Sequence, residues 1–128
     1  MIVLDTHVLV FWVQEPAYLS ARATRTLETA ETIGVPSIVF WEVALLVRKN
    51  RLELSRGYTP AQWTNRILAL PRIRPLSLTP AIAVAADALE MHSDPADRFI
   101  VATAIEYEAS LVTRDAAVRN AARTRTIW

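Results

Sequence analysis

Four acidic residues of this sequence stand in apolar surroundings, where a merely solvated charge is uncommon. Asp5 and Asp115 each follow a short apolar run, Glu42 interrupts an apolar helical pattern, and Asp97 begins another. Acids flanked by large apolar side chains are seldom simple surface decoration. If these carboxylates converge, they cannot all stay ionised without a cation, because like charges raise each other's pKa. The pattern therefore predicts a cation site built from carboxylates.

The composition restricts which ion such a site would take. The chain has no cysteine and only two histidines, so thiolate sites are excluded and oxygen ligands dominate. Oxygen ligands favour Mg²⁺, or Mn²⁺, over Zn²⁺. Ions of this kind can activate a water and stabilise the leaving oxygen of a phosphodiester. The acids thus indicate metal-dependent phosphodiester hydrolysis.

Some of these acids also have a structural interpretation. Asp97 falls in the first turn of a predicted helix, where the helix dipole stabilises a negative charge anyway. Asp115 could be a turn residue that follows a strand. Asp94 precedes Pro95 and fits a helix N-cap better than it fits a metal ligand. Asp5 and Glu42 have no comparable alternative.

The neighbours of these acids give weaker signals. His7 could contact substrate or a metal-bound water, although packing and hydrogen bonding beside the site is the favoured interpretation. Thr6 and Thr113 could bind such a water or a phosphate oxygen, or satisfy backbone groups. Arg98 and Arg114 flank site acids, and Arg98 could either grip a phosphate or pair with a nearby acid.

The elements that must position these residues alternate between strands and helices. Apolar runs predict strands at residues 2–4, 35–37, 73–78, 111–113 and, at an edge, 124–128; helical periodicity and capping signals predict helices at 7–13, 21–31, 39–49, 59–70, 79–91 and 94–108. Such alternation predicts an α/β fold, a three-layer α/β/α sandwich around a mostly parallel sheet.

That architecture places two of the acids together. In parallel sheets ligands bind beyond the carboxyl ends of the strands. Asp5 and Asp115 both follow predicted strands, although they lie more than 100 residues apart in the sequence. This coincidence indicates a functional site at the carboxyl ends of the strands.

Length and composition set the broad class of protein. The 128 residues suit a single domain, 1–128, and a 52% hydrophobic, 21% charged composition can form a substantial core. The N-terminus has no signal-peptide pattern, and no apolar run reaches the roughly 18 residues of a membrane span. We therefore expect a cytoplasmic protein without a membrane segment. A net charge of +1 argues neither for nor against nucleic-acid binding.

Several segments resemble a known family in order and spacing. They are Leu4-Asp5-Thr6-His7, Phe40-Trp41-Glu42-Val43-Ala44, the stretch from His92 to Ala104 with its His-Ser-Asp-Pro-Ala-Asp-Arg start, and Leu111-Val112-Thr113-Arg114-Asp115. Together they are similar to a PIN domain, and the chain resembles the VapC-type toxins of type II toxin–antitoxin systems. The resemblance extends from Met1 to about Ala121, and the segment after His92 is its most specific part.

The resemblance implies a PIN-like fold and a ribonuclease whose metal-binding acids are Asp5, Glu42, Asp97 and Asp115, usually with Mg²⁺ and sometimes with Mn²⁺. It implies an RNA substrate, often a structured RNA such as tRNA. It further implies a homodimer and inhibition by a small cognate antitoxin whose C-terminal segment lies across the acidic groove. His7 departs from the Asn or Ser that many PIN domains carry at this position.

Four aromatic residues have open roles at this stage. Phe11, Trp12, Trp41 and Trp63 could form a dimer or antitoxin surface, or they could belong to the core.

Other functions remain alternatives. A PIN-like module could bind RNA or a partner without catalysis, although the complete set of acids argues against this. An acid-nucleophile phosphatase would require a second Asp where His7 stands, and a phospho-acceptor receiver domain would require a lysine late in the chain, whereas Lys49 is the last. DNA-directed nucleases of the same superfamily are usually much longer.

Overall fold

The computed structural model describes residues 1–91, 94–121 and 123–128. These residues form five strands and seven α-helices: β1 Ile2–Leu4, α1 Thr6–Gln14, α2 Ala21–Thr29, β2 Ile33–Pro36, α3 Ser37–Arg48, α4 Pro60–Leu68, β3 Ile73–Leu76, α5 Pro80–Asp87, α6 Pro95–Glu106, β4 Ser110–Val112, α7 Ala116–Ala121 and β5 Thr126–Ile127. Two short 3₁₀ helices span Pro16–Tyr18 and Ser55–Gly57.

The strands form one parallel sheet in the order β3-β2-β1-β4-β5. All four strand pairings are parallel, so the predicted α/β/α architecture with a mostly parallel sheet is confirmed. The chain builds outward from β1 to β2 and β3, and then returns to the other side of β1 with β4. The carboxyl ends of β1 and β4 therefore flank the point where the strand order reverses, which is where sheets of this type bind ligands.

The central strands lie in the core. Every residue of β1 is buried, and Leu111 and Val112 of β4 are fully buried as well. Helices on both faces of a parallel sheet cover the strands, which explains why they appear in the sequence as continuous apolar runs. A smaller cluster of Ile82, Ala86 and Ala102 joins α5 to α6.

Several predicted element ends were wrong, and α7 was not predicted. The second strand begins at Ile33, the third ends at Leu76, the edge strand has only two residues, and α5 ends at Asp87 rather than near 91. An arginine from α6, Arg98, binds carbonyl groups at and beyond this end of α5. Among the described residues, no helix is both long and apolar enough to cross a bilayer.

Candidate active site

Asp5 is held by hydrogen bonds at the junction of β1 and α1. Its side chain is only 6% exposed. One carboxylate oxygen, Oδ1, accepts a hydrogen bond from the Thr6 backbone N–H at 2.6 Å, and Oδ2 accepts one from the Thr113 hydroxyl at 2.6 Å. Burial raises the pKa of the Asp5 carboxyl, while the Thr113 hydrogen bond opposes the shift. These hydrogen bonds thus fix the orientation of the Asp5 carboxylate, whereas burial disfavours its ionised form.

Thr113 also connects Asp5 to the start of α7. Its buried hydroxyl oxygen accepts a hydrogen bond from the Asp115 backbone N–H at 3.1 Å. The Asp115 side chain in turn caps α7, because Oδ1 accepts hydrogen bonds from Ala117 N at 2.8 Å and Val118 N at 3.2 Å. Asp115 thus caps a helix that the sequence did not predict, which differs from the turn residue that was the structural alternative. Its side chain is nevertheless exposed, and among the described residues nothing donates to its Oδ2.

The pKa of the Asp97 carboxyl group is raised well above its ordinary range. It occupies the first turn of α6, as predicted, and is half-buried. Burial and the nearby carboxylates of Asp5, Asp94 and Glu42 raise its pKa to about 8. The helix dipole favours the ionised form, but at this position it does not outweigh desolvation and like-charge repulsion.

Glu42 lies on α3 and is also half-buried. Burial raises the pKa of its carboxyl, and Asp5 and Asp94 raise it further. The nearby Thr6 hydroxyl opposes this shift, although the two groups do not meet hydrogen-bond geometry. In the described part of the chain, Thr6 Oγ1 is in fact buried without a hydrogen-bond partner.

The structure brings the four predicted acids together near the carboxyl ends of the parallel strands. The charge of Asp5 raises the pKa of both Glu42 and Asp97. The charge of Asp115 raises the pKa of Asp5 and Asp97. Within residues 1–91, 94–121 and 123–128, no three acidic or histidine side chains lie close enough together to hold one ion.

The chemistry of this group suits a divalent cation. Its donors are carboxylate oxygens together with the orphaned Thr6 hydroxyl, which are the hard oxygen ligands that Mg²⁺ and Mn²⁺ prefer. Burial is the main cause of the raised pKa values of Asp5, Glu42 and Asp97, and neighbouring carboxylates add to it; a bound cation would offset both effects. The donor types of these residues therefore suit the predicted metal, although within the described residues no three of these side chains lie close enough, as they stand, to hold one ion.

Asp94 behaves as the N-cap that the sequence indicated. Its Oδ1 accepts hydrogen bonds from Ala96 N at 3.0 Å and Asp97 N at 3.5 Å, and Pro95 occupies the first turn of α6. Its negative charge still reaches the site, where it contributes to the raised pKa of Glu42 and Asp97. His92 and Ser93, which open the same motif, lie outside the described residues.

Arg98 has a structural role that the sequence did not predict. Its guanidinium donates to the carbonyl oxygens of Ala86 at 3.1 Å, Leu89 at 2.9 Å and Met91 at 2.8 Å. These carbonyls lie at and beyond the end of α5, where some also accept backbone N–H groups, so Arg98 adds hydrogen bonds that join this segment to α6. Whether Arg98 also grips a phosphate or pairs with a nearby acid stays a prediction.

The aromatic residues with open roles divide between core and surface. Trp63 is 3% exposed and belongs to the core, whereas Trp41 is 53% exposed. Phe11 and Trp12 are half-buried.

Two cavities differ in their relation to the acids. A cavity of about 260 Å³ is lined by Asp5, His7, Arg114 and Asp115, and it is the one that joins the predicted site. His7 is exposed there. A larger cavity of about 630 Å³ lies between α1 and α4 and contains none of the predicted acids. We assign the active site to the smaller cavity because the perturbed carboxyl groups, rather than volume, indicate chemistry.

Comparison with known proteins agrees with this geometry. Residues 2–124 match the PIN domain family. The chain is 35% identical to Ribonuclease VapC22 of Mycobacterium tuberculosis, over 99% of this chain and 98% of that protein.

Solved structures share the fold at lower identity. VapBC2 from Rickettsia felis, bound to a DNA fragment from its promoter, superposes with a TM-score of 0.72 at 19% identity and covers 98% of this chain and 97% of that one. A toxin–antitoxin complex from Klebsiella pneumoniae gives a TM-score of 0.64 at 21% identity, over 93% of this chain and 90% of that one.

Proposed function

Because this chain belongs to the PIN-domain family, we propose that it is a divalent-metal-dependent ribonuclease and the toxin of a toxin–antitoxin pair. The observation that carries the proposal is the coupling of Asp5, Glu42 and Asp97, whose pKa values burial and mutual repulsion raise. Acids with raised pKa values that gather around Asp5, at the carboxyl end of β1, are typical of a cation-binding active site.

Asp5, Glu42, Asp97 and Asp115 would hold Mg²⁺ or Mn²⁺. A bound ion of this type supplies an activated water and charge stabilisation at the phosphodiester. A bound cation would also favour the ionised forms of Asp5, Glu42 and Asp97, because it would offset the burial and the repulsion that raise their pKa values.

The protein's own residues orient the Asp5 carboxylate and, through a proton on Asp97, reduce the negative charge of this site. The Thr6 N–H and the Thr113 hydroxyl fix both oxygens of Asp5, so the carboxylate presents a defined face to the cavity. Without a cation, Asp97 holds a proton at neutral pH because its pKa is about 8. Deprotonation of Asp97 is therefore coupled to filling of the site.

RNA is the proposed substrate, and the name of the relative Ribonuclease VapC22 supports this choice. A structured RNA such as tRNA is the proposed class, and the cytoplasm is the proposed location. Neither PIN membership nor the carboxylate site distinguishes RNA from DNA, so the substrate class needs its own test.

A cognate antitoxin and a second copy of the chain are the proposed protein partners. The similarity to a toxin–antitoxin complex supports the antitoxin, which would cover the acidic site. The homodimer is supported by Trp41, a large aromatic residue that is 53% exposed. A Trp41→Arg variant that remained dimeric in light scattering would exclude this residue from the interface.

The decisive experiment incubates purified protein, free of antitoxin, with total cellular RNA and Mg²⁺ or Mn²⁺. EDTA and the variant Asp5→Asn should abolish cleavage. Glu106→Gln, which changes an exposed acid at the far end of α6, is the matched control and should cleave as wild type does. Parallel incubation with DNA tests the substrate class.

Each outcome is informative. Metal-dependent RNA cleavage that Asp5→Asn loses and Glu106→Gln keeps would establish the proposed activity. Equal inactivity of wild type and Asp5→Asn, with RNA still bound, would overturn it in favour of a binding module.

A further inference from the structure

We propose that His7, Phe11, Tyr18 and Arg114 form a substrate-binding ledge that stacks an RNA base and binds the phosphate next to the one that is cut. These four residues are called the aromatic ledge below. The proposal rests on the ribonuclease function proposed above and adds to it a subsite that none of the predicted acids provides.

Phe11 is the centre of this group. Its ring lies 5.3 Å from the Tyr18 ring and 6.2 Å from the His7 ring, both in tilted arrangements. The Arg114 guanidinium lies over Phe11, 5.0 Å from the ring centroid. Three separate parts of the chain, α1, the 3₁₀ helix Pro16–Tyr18 and the loop after β4, therefore meet around one half-buried ring.

The ledge adjoins the carboxylates. His7 and Arg114 line the same cavity as Asp5 and Asp115. Arg114 is also the residue between Thr113, which binds Asp5, and Asp115, which caps α7, so its backbone is held on both sides. A strand bound across the acids would thus meet the ledge within a short distance.

Arg114 is available for a phosphate. Its side chain is exposed, and within the described part of the chain its guanidinium makes no hydrogen bond or ion pair; its one recorded contact is the stacking on Phe11. That stacking orients the planar group without using its N–H donors, which suit a phosphate oxygen pair. A cation here also offsets the repulsion between the acidic cavity and a polyanion.

Tyr18 provides the surface for a base. It is 57% exposed, which is unusual for a large aromatic side chain that already packs on another ring. Binding of single-stranded nucleic acid commonly combines aromatic stacking with a nearby positive charge. An exposed tyrosine beside a stacked arginine provides both elements.

The test measures binding of a short fluorescein-labelled single-stranded RNA by anisotropy, with Ca²⁺ in place of Mg²⁺ and the RNA checked for integrity. We expect Tyr18→Leu to weaken binding about tenfold, while Tyr18→Phe, which keeps the stacking ring, binds as wild type does. Thermal unfolding of each variant should match wild type, because Tyr18 is exposed.

The phosphate contact has its own signature in salt dependence. Arg114→Ala should lower the slope of log affinity against log salt by about 0.7, the value for one phosphate on a single strand. Arg114→Lys should retain the slope. Arg125→Ala is the matched control and should leave the slope unchanged. Arg125 is exposed and directly precedes β5, so it lies at the amino ends of the strands, whereas the acids lie at the carboxyl ends.

Cleavage kinetics separate this proposal from the proposed function. Ledge variants should raise KM more than they lower kcat, because they affect substrate binding rather than the carboxylates. If wild type bound RNA but never cleaved it, the ribonuclease proposal would fail, and the ledge would stand only as an RNA-binding surface and only if Tyr18→Leu and Arg114→Ala weakened that binding. If wild type cleaved RNA while Tyr18→Leu and Arg114→Ala kept its Kd and salt slope, or lost only antitoxin binding, the ledge would be refuted.

Discussion

The Thr113 hydroxyl donates a 2.6 Å hydrogen bond to Asp5 Oδ2 across 108 residues of sequence. Both side chains are buried, so this contact joins the carboxyl ends of β1 and β4 where the strand order reverses. It fixes the orientation of the most buried predicted acid and partly offsets the cost of its charge.

Replacement of Thr113 by Val should impair catalysis while it keeps the side-chain shape. The loss of a hydrogen bond to a charged group removes roughly 1.5–3 kcal/mol of stabilisation of the ionised Asp5. We expect RNA cleavage to fall at least about tenfold, which corresponds to about 1.4 kcal/mol. The pKa of Asp5 should rise further, so the acidic limb of the pH–rate profile moves to higher pH.

The control for this change is Thr103→Val. Thr103 is equally buried and also donates a 2.6 Å hydrogen bond, but its acceptor is the carbonyl of Phe99 within α6. It should lose stability without a shift in the pH–rate profile. The same profile shift in both variants would show that Thr113 acts only through general stability.

The raised pKa of Asp97 predicts that metal-free protein loses stability as pH rises. The folded state holds this proton up to a pKa of about 8, whereas the ordinary pKa of Asp is 3.8, so between these pH values the folded state binds more protons. Stability therefore falls as pH rises through this window and levels off above it. Thermal unfolding in EDTA from pH 5 to 9 measures the slope.

Asp97→Asn should remove most of that slope. At pH 8.5 without metal the variant should be more stable than wild type by about 2 kcal/mol or more, since each pKa unit corresponds to about 1.4 kcal/mol. Mg²⁺ or Mn²⁺ should stabilise wild type at this pH and release protons, but stabilise Asp97→Asn much less. Identical pH profiles for the two proteins would contradict the assignment of the raised pKa to Asp97.

Asp115 has two roles that substitutions can separate. Its Oδ1 caps α7 through Ala117 N and Val118 N, and Asn caps helices about as well as Asp does. We expect Asp115→Asn to keep wild-type stability but lose cleavage, because it removes the charge. Asp115→Ala should lose cleavage and about 1 kcal/mol of stability, as urea unfolding would show. Full activity of Asp115→Asn would exclude the carboxylate from metal binding.

Arg98 should be important for stability, and Lys should not replace it. The guanidinium serves the carbonyls of Ala86, Leu89 and Met91 at once, which a single ammonium group cannot reproduce in this planar geometry. We expect Arg98→Lys to lower the free energy of unfolding by about 2 kcal/mol, since hydrogen bonds from charged donors contribute roughly 1.5–3 kcal/mol.

Glu106→Gln, on the exposed face near the end of the same helix, provides the reference for a neutral surface change. Unfolding of Arg98→Lys at the wild-type urea midpoint would show that these carbonyl contacts contribute little.

The sequence by itself determined the α/β class, the alternation of elements and the local signals within them. Ser20 and Thr59 are of the residue types that commonly cap helices and stand at the starts of two predicted helices, and both accept hydrogen bonds from the third residue of the helix. These features depend on residues a few positions apart, so spacing and side-chain chemistry suffice to predict them. The sequence also identified the acids, because charge in an apolar segment is visible without a structure.

Only the tertiary structure decided which groups those acids meet. Sequence patterns contain no information on the pairing of Thr113 with Asp5, the carbonyls that bind Arg98 or the stacking of Arg114 on Phe11, because each contact depends on how separate elements pack. The predicted end of α5 was wrong for the same reason. A pKa shift likewise depends on burial and on charges brought close by folding, so the sequence could name Asp97 but could not predict its protonation state.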